Sequence, residues 1–229
     1  MFLAIEGLDA SGKNTVSLEL VSYLQSLRYR ACHIDKNSCD FGDLDENTLR
    51  VIRNFHDTIY NQDPQEYYNQ YEKTFWVTTQ ASWFNLVYSF GVRPRVSDSI
   101  VVSAGWFYKF LAKYARKMQE IDWILDVFEA IPEPDVTVFL DVSPSVTVTR
   151  RDSFTKTETG HLDGYVGDMS TTFVAYQKEL LTILKGHGRG RNGSIFISDL
   201  CPAASTVSEI VAAIYGAIAG CLEEYQTGP

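Results

Sequence analysis

Residues 7–14 read Gly7-Leu8-Asp9-Ala10-Ser11-Gly12-Lys13-Asn14, between the apolar run Phe2-Leu3-Ala4-Ile5 and a stretch with Val16, Leu18, Leu20, Val21 and Leu24 at helical spacing. No other feature constrains the fold as strongly. A strand running through a glycine-bearing turn into a helix aims successive backbone N–H groups and a helix N-terminus at one point, where an anion such as phosphate is held. Gly7 and Gly12 permit the tight curve and the close approach of backbone to ligand, and Lys13 adds a point charge. Gly7, Ala10, Ser11, Gly12, Lys13, Asn14 and Thr15 are therefore the candidate nucleotide-phosphate contacts. Asn14 stands where the pattern G-x-x-x-x-G-K-[ST] has a hydroxyl that binds Mg²⁺, so either Thr15 compensates or the metal site is altered.

Beyond the loop, strand-like and helix-like stretches alternate, which predicts an α/β fold with about five parallel strands. The predicted strands are 2–5, 30–34, 96–102, 136–140 and 194–197. The predicted helices follow the loop and cover 45–61, 65–90, 106–118, 121–130, 169–184 and 206–224. The helix at 65–90 carries Tyr67, Tyr68, Tyr71, Phe75, Trp76, Trp83 and Phe84, a stripe read mainly as core. In the helix at 106–118, Lys109, Lys113, Arg116 and Lys117 read as a solvated basic face. Residues 152–167 are polar and glycine-bearing and read as a mobile loop.

With 229 residues the chain fits one domain. Lys and Arg number 20 against 29 Asp and Glu, a net charge of −9, which argues against a general electrostatic grip on a nucleic-acid polymer. The longest uncharged apolar run, 210–222, is shorter than the roughly 20 residues needed to span a bilayer. Neither a membrane anchor nor a signal-like segment is read, and a cytoplasmic location is expected. Cys32, Cys39, Cys201 and Cys221 lack metal-ligand spacing, and so do the histidines.

Three blocks resemble the thymidylate kinases. The first is Phe2 through Lys13, with Glu6 closing the strand and Asp9 third in the loop; the resemblance puts Asp9 near the acceptor sugar and phosphate. The second is Asp98-Ser99-Ile100-Val101-Val102-Ser103, similar to the family's Asp-Arg-Tyr-x-x-Ser run but with Ser99 in place of arginine. The third is Pro134-Asp135-Val136-Thr137-Val138-Phe139-Leu140-Asp141-Val142-Ser143-Pro144 with Arg150-Arg151 beyond, similar to the strand, turn and helix that lead into a lid.

The resemblance implies a phosphate-loop kinase fold in one domain, 1–229, with a lid at 152–167. It implies an ATP- and Mg²⁺-dependent nucleoside monophosphate kinase acting on dTMP or a related pyrimidine deoxynucleotide. The catalytic candidates are Lys13, Asp9, Arg150 and Arg151, with Lys156 as a further lid cation. The acceptor candidates are Glu6, Asp9, Lys36, Phe75, Thr79, Gln80, Asp98 and Ser103, and the metal candidates are Asn14, Thr15 and Asp98. Three expected arginines are absent; Lys36 is the candidate replacement at one phosphate contact and Gln80 the candidate reader of the base edge. A homodimer is expected. A deoxynucleoside kinase, or a nucleotide-binding homologue that has lost catalysis, are the alternatives.

Overall fold

The structure is a computed structural model that describes residues 1–38, 41–61, 71–117, 121–188, 193–199 and 205–227. Its sheet has five parallel strands in the order β2-β3-β1-β4-β5. They are β1 (Phe2–Gly7), β2 (Ala31–Ile34), β3 (Ile100–Ala104), β4 (Val136–Leu140) and β5 (Ser194–Phe196). The sheet is flanked by α1 (Lys13–Ser26), α2 (Glu46–Tyr60), α3 (Lys73–Leu86), α4 (Tyr108–Lys117), α5 (Ile121–Glu129), α6 (Pro144–Thr147), α7 (Met169–Gly188) and α8 (Val207–Thr227). This is the α/β arrangement of a phosphate-loop NTPase-type fold.

Every residue of β1 is buried, as a central strand covered on both faces requires. Alternate side chains leave opposite faces of a strand, and the core divides accordingly. Phe2 and Ala4 join Trp83, Phe84, Trp106, Phe107 and Phe139 on one side. Leu3 and Ile5 join Val16, Leu20, Leu24, Ile214 and Ile218 on the other, which seats α1 and α8. The first face is aromatic: Trp106 meets Phe2 and Phe84 edge-on, with centroids 5.0 and 5.1 Å away. Such pairs add about 0.5–1.5 kcal/mol each beyond the area they bury. Two buried indoles also tie down backbone, Trp83 Nε1 donating to Lys36 O at 2.9 Å and Trp106 Nε1 to Pro132 O at 3.0 Å.

The predicted strands lie where expected except the third. Residues 93–99 form turns, and β3 begins only at Ile100. The predicted 65–90 helix is described from Lys73 and continues past Leu86 as a π-helix, Val87–Val92. Tyr67, Tyr68, Cys39 and Cys201 lie outside the described residues. Asp45 caps α2, accepting from the Asn47 and Thr48 N–H groups at 3.1 Å. Among the described residues, no helix is long and apolar enough to cross a membrane.

Candidate active site

Ligands of open α/β sheets bind beyond the carboxyl ends of the strands, and there the loop after β1 lies between β3 and β4. Gly7 is paired with Leu140 across the sheet. A Cβ on Gly7 would come within 2.8 Å of both Leu140 O and Ser11 Oγ, so the cradle has no room for a side chain. Gly12 takes φ 98 as the N-cap of α1, and Ala10 is also left-handed at φ 58. The first N–H groups of α1 have no partner within the helix, and a helix N-terminus offers such groups to an oxyanion. Lys13 Nζ folds back on the loop, donating to Gly7 O at 2.9 Å and Leu8 O at 2.5 Å. Ser11 Oγ is buried and has no hydrogen-bond partner among the described residues.

Two cavities open from this loop. One, of about 380 Å³, is lined by Ala10, Gly12, Lys13, Asn14 and Thr15 together with Lys36 and Arg151. The other, of about 320 Å³, is walled by Tyr60, Trp76, Gln80, Phe110, Tyr114 and Tyr176 with Lys113, Glu158 and Asp163. They meet at Asp9, Tyr60, Lys109 and Phe110, which line both.

Asp9 is held on each oxygen. Lys109 Nζ lies 2.7 Å from Oδ1, and Gln177 Nε2 donates to Oδ2 at 3.0 Å. The Asp9 N–H in turn donates to Gln177 Oε1 at 3.3 Å, and Gln177 Nε2 also donates to Glu158 O at 2.8 Å. This fixes the sense of the Gln177 amide, since a flipped amide would set its oxygen against the carboxylate. Burial pushes the Asp9 carboxyl up, but the ammoniums of Lys109, Lys113 and Lys13 more than reverse it, holding the group well below the usual carboxylate range.

The lysines divide by partner. Burial lowers Lys13 to about 7, helped by repulsion from Lys109, and lowers Lys36 to about 8, with the attraction of Glu6 only partly offsetting it. Lys109 is equally enclosed, and burial pushes it down, yet Asp9 with help from Glu6 and Glu158 more than reverses this and raises it.

The predicted site residues separate into those the fold gathers and those it does not. Asp9, Ala10, Gly12, Lys13, Asn14, Thr15, Lys36, Gln80 and Arg151 line one or both cavities. Arg150 reaches the loop itself, Nη1 donating to Ala10 O at 3.1 Å and Ser11 O at 3.2 Å. Glu6 lines neither cavity; it is fully buried and accepts from Gly7 N at 3.2 Å and Lys109 N at 3.1 Å, tying the start of α4 to the loop. Ser103 is buried in β3 and donates to Gly105 O at 2.8 Å.

Asp98 is a correction. It is exposed, stands before β3 rather than at the strand's carboxyl end, and faces Arg30 at 3.7 Å, so it lies at the opposite end of the sheet from the loop. Phe75 is another: it stacks on Tyr71 at 4.5 Å, and the neighbouring Trp76, about 100° further round α3, lines the cavity instead. Thr79 and Lys156 line neither cavity.

Lys109, Lys113, Phe110, Tyr60 and Gln177 were not predicted. The signal for the first three was present, because lysines four apart beside Phe110 and Tyr114 share one face of α4. That face turns inward here, with the Lys109 side chain only 13% exposed.

Residues 152–167 pack against α4 and α7. Lys113 Nζ donates to Thr157 O at 3.1 Å, Tyr176 donates its hydroxyl to Asp163, and Arg151 pairs with Glu158. Beyond the loop, Asp141 at the end of β4 pairs with Lys185 Nζ at 2.7 Å and accepts from Ser198 N at 3.0 Å, joining β4, α7 and the turn after β5.

The loop fits a nucleoside triphosphate: it offers a cradle closed to side chains at a helix N-terminus, with Lys13, Lys36 and Arg151 lining its cavity. Asn14 and Thr15 are exposed on the first turn of α1 and present neutral oxygen donors, which a hard divalent ion accepts alongside phosphate oxygens.

No protein-family model matches the chain. It is similar to the probable thymidylate kinase of Staphylothermus marinus, 22% identical over 155 residues that cover 66% of this chain and 67% of the relative. It is also similar to the probable thymidylate kinase of Picrophilus torridus, 28% identical over 152 residues that cover 66% of each. Each match spans about two thirds of the relative's length. The chain is thymidylate kinase-like, and the names of these relatives support a nucleotide kinase.

Proposed function

We propose that the chain is an ATP- and Mg²⁺-dependent nucleoside monophosphate kinase that makes a nucleoside diphosphate from dTMP or a related pyrimidine deoxynucleotide. The observation that carries this reading is the meeting of two cavities, one built on the phosphate loop and one walled by aromatic rings, at Asp9 and Lys109. ATP would supply the phosphoryl group, and Asn14 or Thr15 would hold the Mg²⁺ bound with it, which would offset the charge of the phosphates. The loop N–H groups and Lys13 hold the donor phosphates; Lys13 leaves the carbonyls of Gly7 and Leu8 when an anion competes for it. Arg151 lines the donor cavity, Arg150 bonds the loop backbone, and both add charge as the lid at 152–167 closes.

In the second cavity Tyr60, Trp76 and Phe110 offer faces for a base, and stacking there contributes on the order of 1–3 kcal/mol. Gln80 is 4% exposed and its Nε2 reaches Tyr60 Oη at 3.4 Å, so its amide is positioned to pair with a base edge. Lys113, which lines this cavity, takes the place of an arginine around the acceptor phosphate, while Lys36 lines the phosphate-loop cavity.

Asp9 separates this reading from a nucleoside kinase. A hydroxyl acceptor must give up a proton, whereas a phosphate dianion has none to lose. With both oxygens engaged and its carboxyl held ionised far below neutrality, Asp9 suits an acceptor that needs no base.

The test is ADP release from ATP and Mg²⁺ against a panel of nucleosides and nucleoside monophosphates. Turnover with a pyrimidine deoxynucleoside monophosphate and none with nucleosides is expected; turnover with nucleosides alone overturns the reading.

A further inference from the structure

We propose that Lys109 is a catalytic cation of this reaction, contacting donor and acceptor phosphates together where the two cavities join, and that Asp9 is the counter-ion that holds it there. The proposal rests on the kinase reading above.

Four residues line both cavities, and among the described residues Lys109 is the one cation of the four. Its ammonium has a fixed seat, 2.7 Å from Asp9 Oδ1, with side-chain exposures of 13% and 12% for the pair. Asp9 cannot swing away readily, since Gln177 holds its other oxygen and its N–H. Gln177 is itself fully buried. Lys109 is also held from its own backbone, because Glu6 accepts from its N–H and anchors the first turn of α4. The Nζ lies 5.7 Å from the centroid of the Phe110 ring, another residue of the junction.

The other lysines of the site are placed differently. Lys13 lines only the donor cavity and Lys113 only the other. Lys36 lines the donor cavity, and burial lowers its proton affinity, as it does that of Lys13. Lys109, by contrast with Lys13 and Lys36, is strengthened as a cation, with the Asp9 carboxylate at contact distance.

The chemistry at that point is the approach of two anions. An oxygen of the acceptor phosphate forms a bond to the γ-phosphorus of ATP while the bond from that phosphorus to the β,γ-bridging oxygen breaks. The electron pair stays on ADP, and the total charge is unchanged. No proton need move, so a carboxylate base has no part in the step. Repulsion between the phosphates is what the protein must lower, and a desolvated cation at the junction does so most as they close.

The test uses the full-length protein with ATP, Mg²⁺ and the preferred monophosphate. Lys109→Met should lower kcat by about 10²–10³-fold, as loss of one preorganised charge does, with ATP affinity within about threefold of wild type. Lys109→Arg should restore part of that loss, because it keeps the charge with a different reach. Asp9→Asn should lower kcat strongly alone but add little to Lys109→Met, since in that background it has nothing left to hold. Circular dichroism melts establish that each variant is folded.

A folded Lys109→Met variant with kcat within about threefold of wild type overturns the proposal. Additive losses in the double variant would overturn the assignment of Asp9 as its counter-ion. A wild-type protein that transfers phosphate to no acceptor would bring down the kinase reading and this proposal with it, an outcome read on wild type before any variant.

Discussion

Gly160→Ala adds one methyl group where residues 152–167 meet α7. Gly160 has φ +73, a conformation that costs an L-residue about 1–2 kcal/mol. The new Cβ would lie 2.6 and 2.8 Å from two Tyr176 ring carbons and 3.0 Å from a carbon of Tyr165. Tyr176 is fully buried and its hydroxyl is committed to Asp163, with the Arg116 guanidinium 5.3 Å from its ring, so the ring cannot give way. Overpacking of this kind costs about 1–3 kcal/mol more. The full penalty is then about 2–5 kcal/mol, and it is capped at whatever docking these residues contributes, because the segment can lift off instead. A chain of this size loses roughly 2–4 °C of Tm per kcal/mol, so the expected fall is roughly 4–20 °C, or a smaller fall with faster proteolysis within 152–167. Gly164→Ala is the matched control: φ is +89, yet nothing lies within 4 Å of its Cβ, so only the backbone cost applies. A Gly160→Ala protein with the Tm and cleavage rate of Gly164→Ala would refute the packing argument.

Three further outcomes follow from the same geometry. Lys13→Ala should lower kcat by at least about 10²-fold in steady-state assays while Tm holds or rises, since the removed ammonium is enclosed beside Lys109. Unfolding followed against pH should show the ligand-free protein gaining stability from about pH 7 upward through the ordinary lysine range. Lys13 and Lys36 bind their protons more weakly folded, at about 7 and 8, than unfolded, so the unfolded chain holds more protons across that window. A flat or falling curve there would count against the enclosed lysines. Asp141→Ala should cost about 2–4 kcal/mol in denaturant unfolding, because it strips Lys185 and Ser198 of a buried partner.

The parts of the site that are contiguous in the chain were legible in the sequence. The loop from Gly7 to Lys13 needs only a strand before it and a helix after it, and both are local patterns. What depends on orientation was less so. Phe75 and Trp76 are equally plausible as letters, and only the rotation of α3 decides that Trp76 meets the cavity. Asp98 was read into a strand that starts two residues later, which moved it to the wrong end of the sheet. The basic face of α4 looked solvated because Lys109 and Lys113 resemble any surface lysines until Asp9 and the backbone of Thr157 are brought opposite them from distant parts of the chain. Gln177, 168 residues from Asp9, carried no local signal.

Following the label from γ-phosphate-labelled ATP tests the central claim most directly, because it shows which oxygen attacks. With Mg²⁺ and a pyrimidine deoxynucleoside monophosphate, the label should appear on the β-phosphate of the nucleoside diphosphate, one for each ADP formed. Label found only in inorganic phosphate, or on the 5′-oxygen of a nucleoside, would contradict transfer between phosphates across the Asp9–Lys109 junction.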